Sequence, residues 1–247
     1  MITVQNLHKT YGRLTVLDDL SVELKAGQAV SLIGPNGSGK TTFIKCLLGL
    51  VIPDGGTIRF GGRSVRHDWI YRQHVGYMPQ IGRYPDNMRI RQVIDMLKDV
   101  RRTAGRCPAV RLDEDLIRAF DLPKLYDKPM RSLSGGTRQK VSACLAFLFD
   151  PEVLILDEPT AGLDPLSAEL LKQKIRQEKE KGKLILLTSH ILSDLDELTT
   201  DVMYLQEGKL QFFRELAWLK TQTGEQKLGR AIAAIMAKER KSERANP

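Results

Sequence analysis

The sequence predicts an α/β protein, a parallel sheet covered by helices, with a mainly helical segment inserted in the middle of the chain. Three observations carry that expectation. The apolar run Ala29 to Ile33 stops at a glycine-rich turn and is followed at once by a helical stretch. From Val153 to Leu205, short apolar runs alternate with a long helical pattern, which implies parallel strands joined by covering helices. Between Ile81 and Leu133 the strand signals disappear and helical spacing takes over.

Taken in order, Ile2 to Leu7 and Val16 to Leu24 alternate partially and read as strands. Ala29 to Ile33 suits a buried strand and Thr41 to Leu50 a helix. Pro53-Asp54-Gly55-Gly56 is a turn, followed by strands at Thr57 to Phe60 and Val75 to Met78. Asn87 to Val100 and Leu112 to Phe120 have helical spacing, punctuated by Gly105, Pro108 and Pro123. Gly136 to Phe149 is a helix, Val153 to Leu156 a strand, and Pro165 to Lys181 a helix stopped by Gly182. Leu184 to Thr188 and Val202 to Leu205 are strands, the second ending in the turn Glu207-Gly208. Two C-terminal helices are expected at Arg214 to Thr221 and Glu225 to Arg240; in the second, Leu228, Ala231, Ile232, Ile235 and Met236 share a face.

Composition narrows the class. The 247 residues, 42% hydrophobic and 28% charged, are enough for one large domain with its own core. No stretch approaches the ~20 apolar residues that cross a bilayer, and Met1-Ile2-Thr3-Val4 leads straight into a strand without a signal segment. The cysteines, Cys46, Cys107 and Cys144, are odd in number and far apart, so neither a disulfide framework nor a metal pair follows and a reducing cytoplasm fits. Cys46 and Cys144 sit in apolar helices and read as buried thiols. The net charge of +8 is spread along the chain, denser at Arg101-Arg102 and from Lys238 to Arg244, and reads as a solvated face near anionic lipid or a partner.

Three motifs carry chemistry. Gly34-Pro35-Asn36-Gly37-Ser38-Gly39-Lys40-Thr41 fits the phosphate-binding loop pattern in full, between an apolar strand and a helix. Its glycines let the backbone wrap a phosphate. Lys40 reaches the β- and γ-phosphates and the Thr41 hydroxyl holds Mg²⁺. Gly34, Asn36, Gly37, Ser38, Gly39, Lys40, Thr41 and Thr42 are the candidate nucleotide contacts. The strand Val153 to Leu156 delivers Asp157 to the metal shell, and Glu158 beside it polarises an attacking water. The third is a second glycine-rich run, Leu133 to Gln139, too far from Lys40 to share its loop. Ser134-Gly135-Gly136 opening a helix makes another anion-binding N-terminus. Two such helix starts on one chain suggest a site shared between two molecules.

With these motifs in this order, the chain resembles the ATP-binding-cassette (ABC) ATPases over about residues 1–212. The resemblance implies an ABC-type ATPase core of mixed sheet and helices, a helical subdomain inserted at about 81–135, and a C-terminal extension at 213–247. It also implies roles. Tyr11 matches the aromatic residue on which adenine stacks. Gln80 matches the glutamine that touches Mg²⁺ and the attacking water. Ser134 and Gly136, with Gln139 in the same run, match the signature that grips ATP held by the other subunit. Asp164 matches the loop crossing the dimer seam, and His190 the switch histidine that contacts the γ-phosphate. His8, His67 and His74 have no match and read as surface or packing residues. One departure is Arg91, near a point where many members carry an acidic residue.

The implied function is the ATP-hydrolysing motor of a membrane transporter. ATP and Mg²⁺ are sandwiched in a head-to-tail homodimer on the cytoplasmic face of the inner membrane, coupled to a separate membrane permease. The helical lobe after Gln80 would receive that partner, with Tyr84, Pro85 and Met88 as candidate contacts. The alternative is a soluble cassette ATPase acting on ribosomes or nucleic acid. Ribosome-acting members normally carry two cassettes, and the spacing from Gln80 to Ser134 leaves no room for the long coiled coil of the DNA-repair type, so no nucleic acid is expected. The stretch Trp69 to Ile81 and the tail Thr223 to Ile235 are similar to a branch of the family that serves maturation of the copper site of nitrous-oxide reductase. No Cys/His cluster could itself carry copper.

Overall fold

The computed structural model describes residues 1–103 and 112–245. Cys107, Gly105 and Pro108 lie outside the described residues, as do the side chains of the basic tail from Lys238. Along the chain run β1 (Ile2–Tyr11), β2 (Leu14–Leu24), β3 (Ala29–Ile33), α1 (Lys40–Leu47), β4 (Gly55–Phe60), β5 (Arg63–Ser64), β6 (Val75–Met78) and α2 (Ile90–Thr103). They are followed by α3 (Asp115–Ala119), α4 (Gly135–Phe147), β7 (Val153–Asp157), α5 (Pro165–Glu180), β8 (Leu184–Thr188), α6 (Leu192–Leu198), β9 (Asp201–Gln206), β10 (Lys209–Glu215), α7 (Leu216–Thr223) and α8 (Leu228–Ala245). The expected α/β architecture with a mixed sheet is present.

The elements form two compact units, Met1–Tyr71 with Gly182–Pro247, and Arg72–Lys181. In the first, an antiparallel sheet has the order β2-β1-β4-β5. Beside it, β3 pairs in parallel with β8 on one edge and β9 on the other, and β10 closes on β9 as an antiparallel hairpin. β3 and β8 are mostly apolar because both their faces are covered, and Val30, Leu32 and Leu184 to Leu187 are all buried. The β9–β10 turn is the two residues Glu207 and Gly208, both at positive φ, as a tight hairpin turn requires. α8 lies against α6: the Leu228 N–H donates to Asp196 Oδ2 at 3.3 Å, and Leu228, Ala231 and Ile232 are buried while Ile235 and Met236 are half-buried.

In the second unit, β6 and β7 pair in parallel and are covered by α4, whose buried face includes Val141, Ala143, Cys144 and Phe147. The register aligns Met78 with Leu156, so the two strands end level. α5 carries a buried ion cluster. Lys174, 3% exposed, donates to Asp113 at 2.5 Å and Asp115 at 3.1 Å and pairs with the fully buried Glu178. Asp113, Asp150 and Glu178 bring carboxylate oxygens within 4.8 Å of one another, and the Lys174 ammonium supplies the compensating charge. Burial opposes that charge, yet Asp113, Asp115 and Glu178 hold the lysine well above its usual value.

Ala29–Ile33, Val75–Met78 and Leu184–Thr188 coincide with expectation. The helix expected from Arg214 starts instead at Leu216, because residues 209–215 return as β10 from the Glu207-Gly208 turn. The stretch Leu112 to Phe120 is helical only over Asp115–Ala119. α6 was not anticipated; its signal is Leu192, Leu195 and Leu198, a three-residue spacing too short to stand out.

Candidate functional site

In the first unit, the fully paired strand β3 ends at Ile33 and the chain turns through the glycine-rich loop into α1. Gly34 and Gly39 sit at φ 156° and 99°, and a Cβ there would lie 2.0 Å from the Leu205 carbonyl oxygen and 2.6 Å from that of Val16. Only glycine lets the loop lie this close to its supports. Gly208 N–H donates to Ser38 C=O at 3.2 Å, so the β9–β10 turn braces the loop from below. α1 starts without a side-chain cap and without an acidic residue in its first turn. Its first N–H groups and its dipole therefore face an incoming anion unopposed. Lys40 Nζ donates to the carbonyls of Gly34 at 2.7 Å and Pro35 at 2.9 Å, which folds the ammonium back over the loop. The Ser38 hydroxyl is buried and has no hydrogen-bond partner among the described residues, an orphaned polar atom inside the loop. A triphosphate fits these features. Asn36, Gly37 and Thr41 are exposed and Thr42 is half-buried.

Tyr11, 49% exposed, ends β1 at a two-residue turn into β2. Asp54 braces that strand end, accepting from the Thr10 N–H at 2.7 Å, the Thr10 hydroxyl at 2.8 Å and Lys9 Nζ at 2.8 Å. These partners hold its carboxyl far below the usual carboxylate range. His190 follows β8 at the surface, in a turn where Ser189 Oγ accepts from the Ile191 N–H at 2.9 Å.

In the second unit, Gln80 and Asp157 leave the C-terminal ends of the adjacent strands β6 and β7. Asp157 and Glu158 are both buried, at 9% and 8% exposure. Burial, with the Asp157 charge behind it, pushes the Tyr77 phenol up to about 12. Glu158 has φ 51°, left-handed backbone that a β-carbon residue adopts at a cost of about 1–2 kcal/mol. Its carbonyl accepts from the Ala161 N–H at 3.1 Å and from Gln139 Nε2 at 3.2 Å.

Ser134 caps α4, its hydroxyl accepting from the Thr137 N–H at 3.2 Å, and this helix too has no acidic residue in its first turn. Gly136 approaches Gly162 so closely that a Cβ would meet its carbonyl oxygen at 2.7 Å. Asp164 caps α5 through Ser167 N–H at 2.9 Å and pairs with Lys140 at 2.8 Å, and its carboxyl is held well below the usual range by Lys140 first and Ser167 second. The Gln139 side chain is 6% exposed and turned inward onto the carbonyls of Glu158 and Pro159. Gln139 was legible only as part of the signature run and Lys140, the next residue, was not singled out; nothing in the residue types marks their bonds. Arg91 stacks its guanidinium over the Tyr126 ring at 5.2 Å. Tyr84 and Met88 are half-buried and Pro85 is exposed; Gly82, Arg83, Tyr84, Asp86, Met130 and Arg138 line a cavity of about 210 Å³. No helix among the described residues is long and apolar enough to cross a membrane.

Residues 17–161 match the sequence profile of the ABC transporter family. Nod factor export ATP-binding protein I of Ralstonia nicotianae is 33% identical over 85% of the chain, which spans 65% of that relative, just under two thirds of its length. The lantibiotic transport ATP-binding protein SrtF of Streptococcus pyogenes is 33% identical over 87% of the chain and 91% of its own length. Among solved structures, the ATP-binding subunit of an ABC transporter superposes with a TM-score of 0.85 at 29% identity, covering 96% of this chain and 99% of that one. The cassette MJ0796, a dimer in a post-hydrolysis state with ADP and Pi, has the same fold, with a TM-score of 0.76 at 22% identity over 87% of this chain and 99% of that one.

Proposed function

The chain belongs to the ABC transporter family, and from that premise we propose that it is the ATP-hydrolysing motor subunit of a membrane transporter whose spanning subunit is a separate permease. The observation that carries the proposal is the pair of helix starts at α1 and α4, each free of acidic residues in its first turn. One suits the chain's own ATP. The other, Ser134 with Gly136, suits the γ-phosphate of ATP held by a second copy.

On this reading ATP joins two copies head to tail. It neutralises facing basic loops and satisfies both helix starts, and hydrolysis removes that bridge, a population shift between closed and open dimers. Lys40 leaves the carbonyls of its own loop for the β- and γ-phosphates. Tyr11 stacks on adenine, Glu158 orients and polarises the attacking water, and His190 contacts the γ-phosphate. Asp164 lies at the dimer seam. Thr41, Gln80 and Asp157 are oxygen donors, the set a hard cation such as Mg²⁺ takes; the ion, when bound, neutralises charge developing on the phosphates. The domain assignment follows the same motifs: cassette at 1–212 with a helical subdomain at 81–135, and an extension at 213–247. The permease would dock on the lobe after Gln80, beside Tyr84, Pro85 and Met88, at the cytoplasmic face of the inner membrane. The similarity of Trp69 to Ile81 and Thr223 to Ile235 to the nitrous-oxide reductase branch supports service to copper-site maturation, with any copper handled by partners.

The test is Glu158→Gln, which keeps the binding residues and removes the carboxylate that polarises water. With ATP it elutes as a stable dimer in size exclusion, and adding Ser134→Glu returns it to monomer. A Glu158→Gln protein that stays monomeric at millimolar ATP, or that hydrolyses ATP at the parental rate, would overturn the proposal.

A further inference from the structure

We propose that Asp54 is a positioning residue for the nucleotide base: through Lys9 and Thr10 it fixes the Tyr11 ring before ATP arrives. The inference rests on the reading that Tyr11 stacks on adenine. It starts from how β1 ends. β1 lies between β2 and β4, but its ladder with β4 stops at the pair His8–Gly55. Lys9, Thr10 and Tyr11 pair only with β2, across register shifts on both sides of Lys9. A half-exposed aromatic ring on a strand end held on one edge, next to the two-residue turn Gly12-Arg13, has little to hold it in place.

Asp54, the residue just before β4, replaces the missing ladder. Its N–H donates to the His8 carbonyl at 2.9 Å. Its carboxylate accepts from the Thr10 N–H at 2.7 Å, the Thr10 hydroxyl at 2.8 Å and Lys9 Nζ at 2.8 Å. One side chain thus does for Thr10 what a neighbouring strand would do, and charge-assisted bonds make the brace strong. The tethered Lys9 ammonium lies 5.4 Å from the centroid of the Tyr11 ring, a cation–π contact that ties the brace to the ring itself.

The same hairpin leads to the phosphate loop. Tyr11 pairs with Leu14, and two residues on, the Val16 carbonyl is the atom against which Gly39 fits. Ring and phosphate loop are therefore linked through one short strand, and a brace on the ring sets where a base can stack while the triphosphate sits in the loop. Ordering the ring in advance removes an entropic cost from binding and leaves the chemistry of the γ-phosphate untouched.

The experiment compares two ligands, ATP and inorganic triphosphate, each with Mg²⁺, by calorimetry on the full chain, together with KM and kcat for ATP. Asp54→Ala is expected to weaken ATP and raise KM about fivefold, the scale of one ordered side chain, with triphosphate affinity and kcat unchanged. Equal weakening of both ligands, or a fall in kcat, would show a general structural role and overturn the proposal. So would unchanged affinity for both, and Tyr11→Ala then separates the causes. If that variant weakens ATP alone, stacking stands and only the positioning by Asp54 fails; if it has no effect, the stacking reading fails as well. Should Asp54→Ala fold poorly, Lys9→Met removes the ammonium between carboxylate and ring and leaves the Thr10 bonds. It is expected to weaken ATP about twofold with triphosphate unaffected, and equal loss of both ligands refutes the proposal.

Discussion

Replacing Gln139 with Leu deletes two N–H donors from a side chain of similar size that is 6% exposed. Of its two contacts, the one to the Glu158 carbonyl is 3.2 Å and the one to Pro159 is 3.5 Å, at the limit of a hydrogen bond. The substitution therefore removes one good neutral bond, worth about 1 kcal/mol. The full penalty for an orphaned carbonyl is not incurred, because Ala161 N–H still donates to the same oxygen at 3.1 Å. For a chain of this size, 1 kcal/mol lowers Tm by about 2–4 °C. The effect on rate has a different origin. Glu158 is held in left-handed backbone, and the Gln139 bond helps to keep its peptide there. Loss of about 1 kcal/mol from that restraint lets the carboxylate leave its working position and lowers kcat about fivefold. Steady-state phosphate release at saturating ATP, beside thermal unfolding, gives both numbers. A variant whose Tm falls as stated while kcat stays within about twofold would show that Gln139 supports the core and not Glu158, and the reasoning would be wrong.

Lys40→Ala should abolish most ATP affinity by calorimetry without lowering Tm by more than a few degrees, since the residue is half-exposed and its ammonium bonds to carbonyls of its own loop; unchanged affinity would refute its role. Lys174→Met strips the half-buried Asp113 and the buried Glu178 of their shared cation, with Lys181 still paired to Glu178 at 2.7 Å, and should cost about 3 kcal/mol, a Tm drop of roughly 6–12 °C; a loss below about 1 kcal/mol would mean the cluster does not depend on that charge. Burial pushes the Cys46 thiol up to about 11 from an ordinary 9.0. A raised folded value means that the stability is complete below the ordinary value and is lost as pH climbs towards 11. The urea midpoint of the wild type should therefore fall across that window more steeply than that of Cys46→Ala, and parallel curves would contradict the assignment.

The strands buried on both faces were among the most legible in the sequence. Ala29–Ile33 and Leu184–Thr188 are mostly apolar runs bounded by turn residues, and their ends were read to the residue. β10 was missed because its outer positions, Lys209, Gln211, Arg214 and Glu215, are polar and its pairing depends on a partner strand across a tight turn. The loop residues that bear chemistry were visible because glycine spacing is dictated by close backbone approach, as at Gly34 and Gly39. What could not be read were bonds between residues distant in sequence: Asp54 to Thr10, Gln139 to Glu158, Lys140 to Asp164. Each joins two residue types common anywhere on a surface, and only the fold brings them together.

With the proposed role of Glu158 in polarising water, its left-handed backbone would set thermal tolerance against turnover. A library of this chain selected only for surviving heat should enrich Gly at position 158, which relieves roughly 1 kcal/mol of strain, and the enriched clones should be dead as ATPases. Stabilising this protein by directed evolution therefore requires an activity screen in every round, or position 158 withheld from mutagenesis.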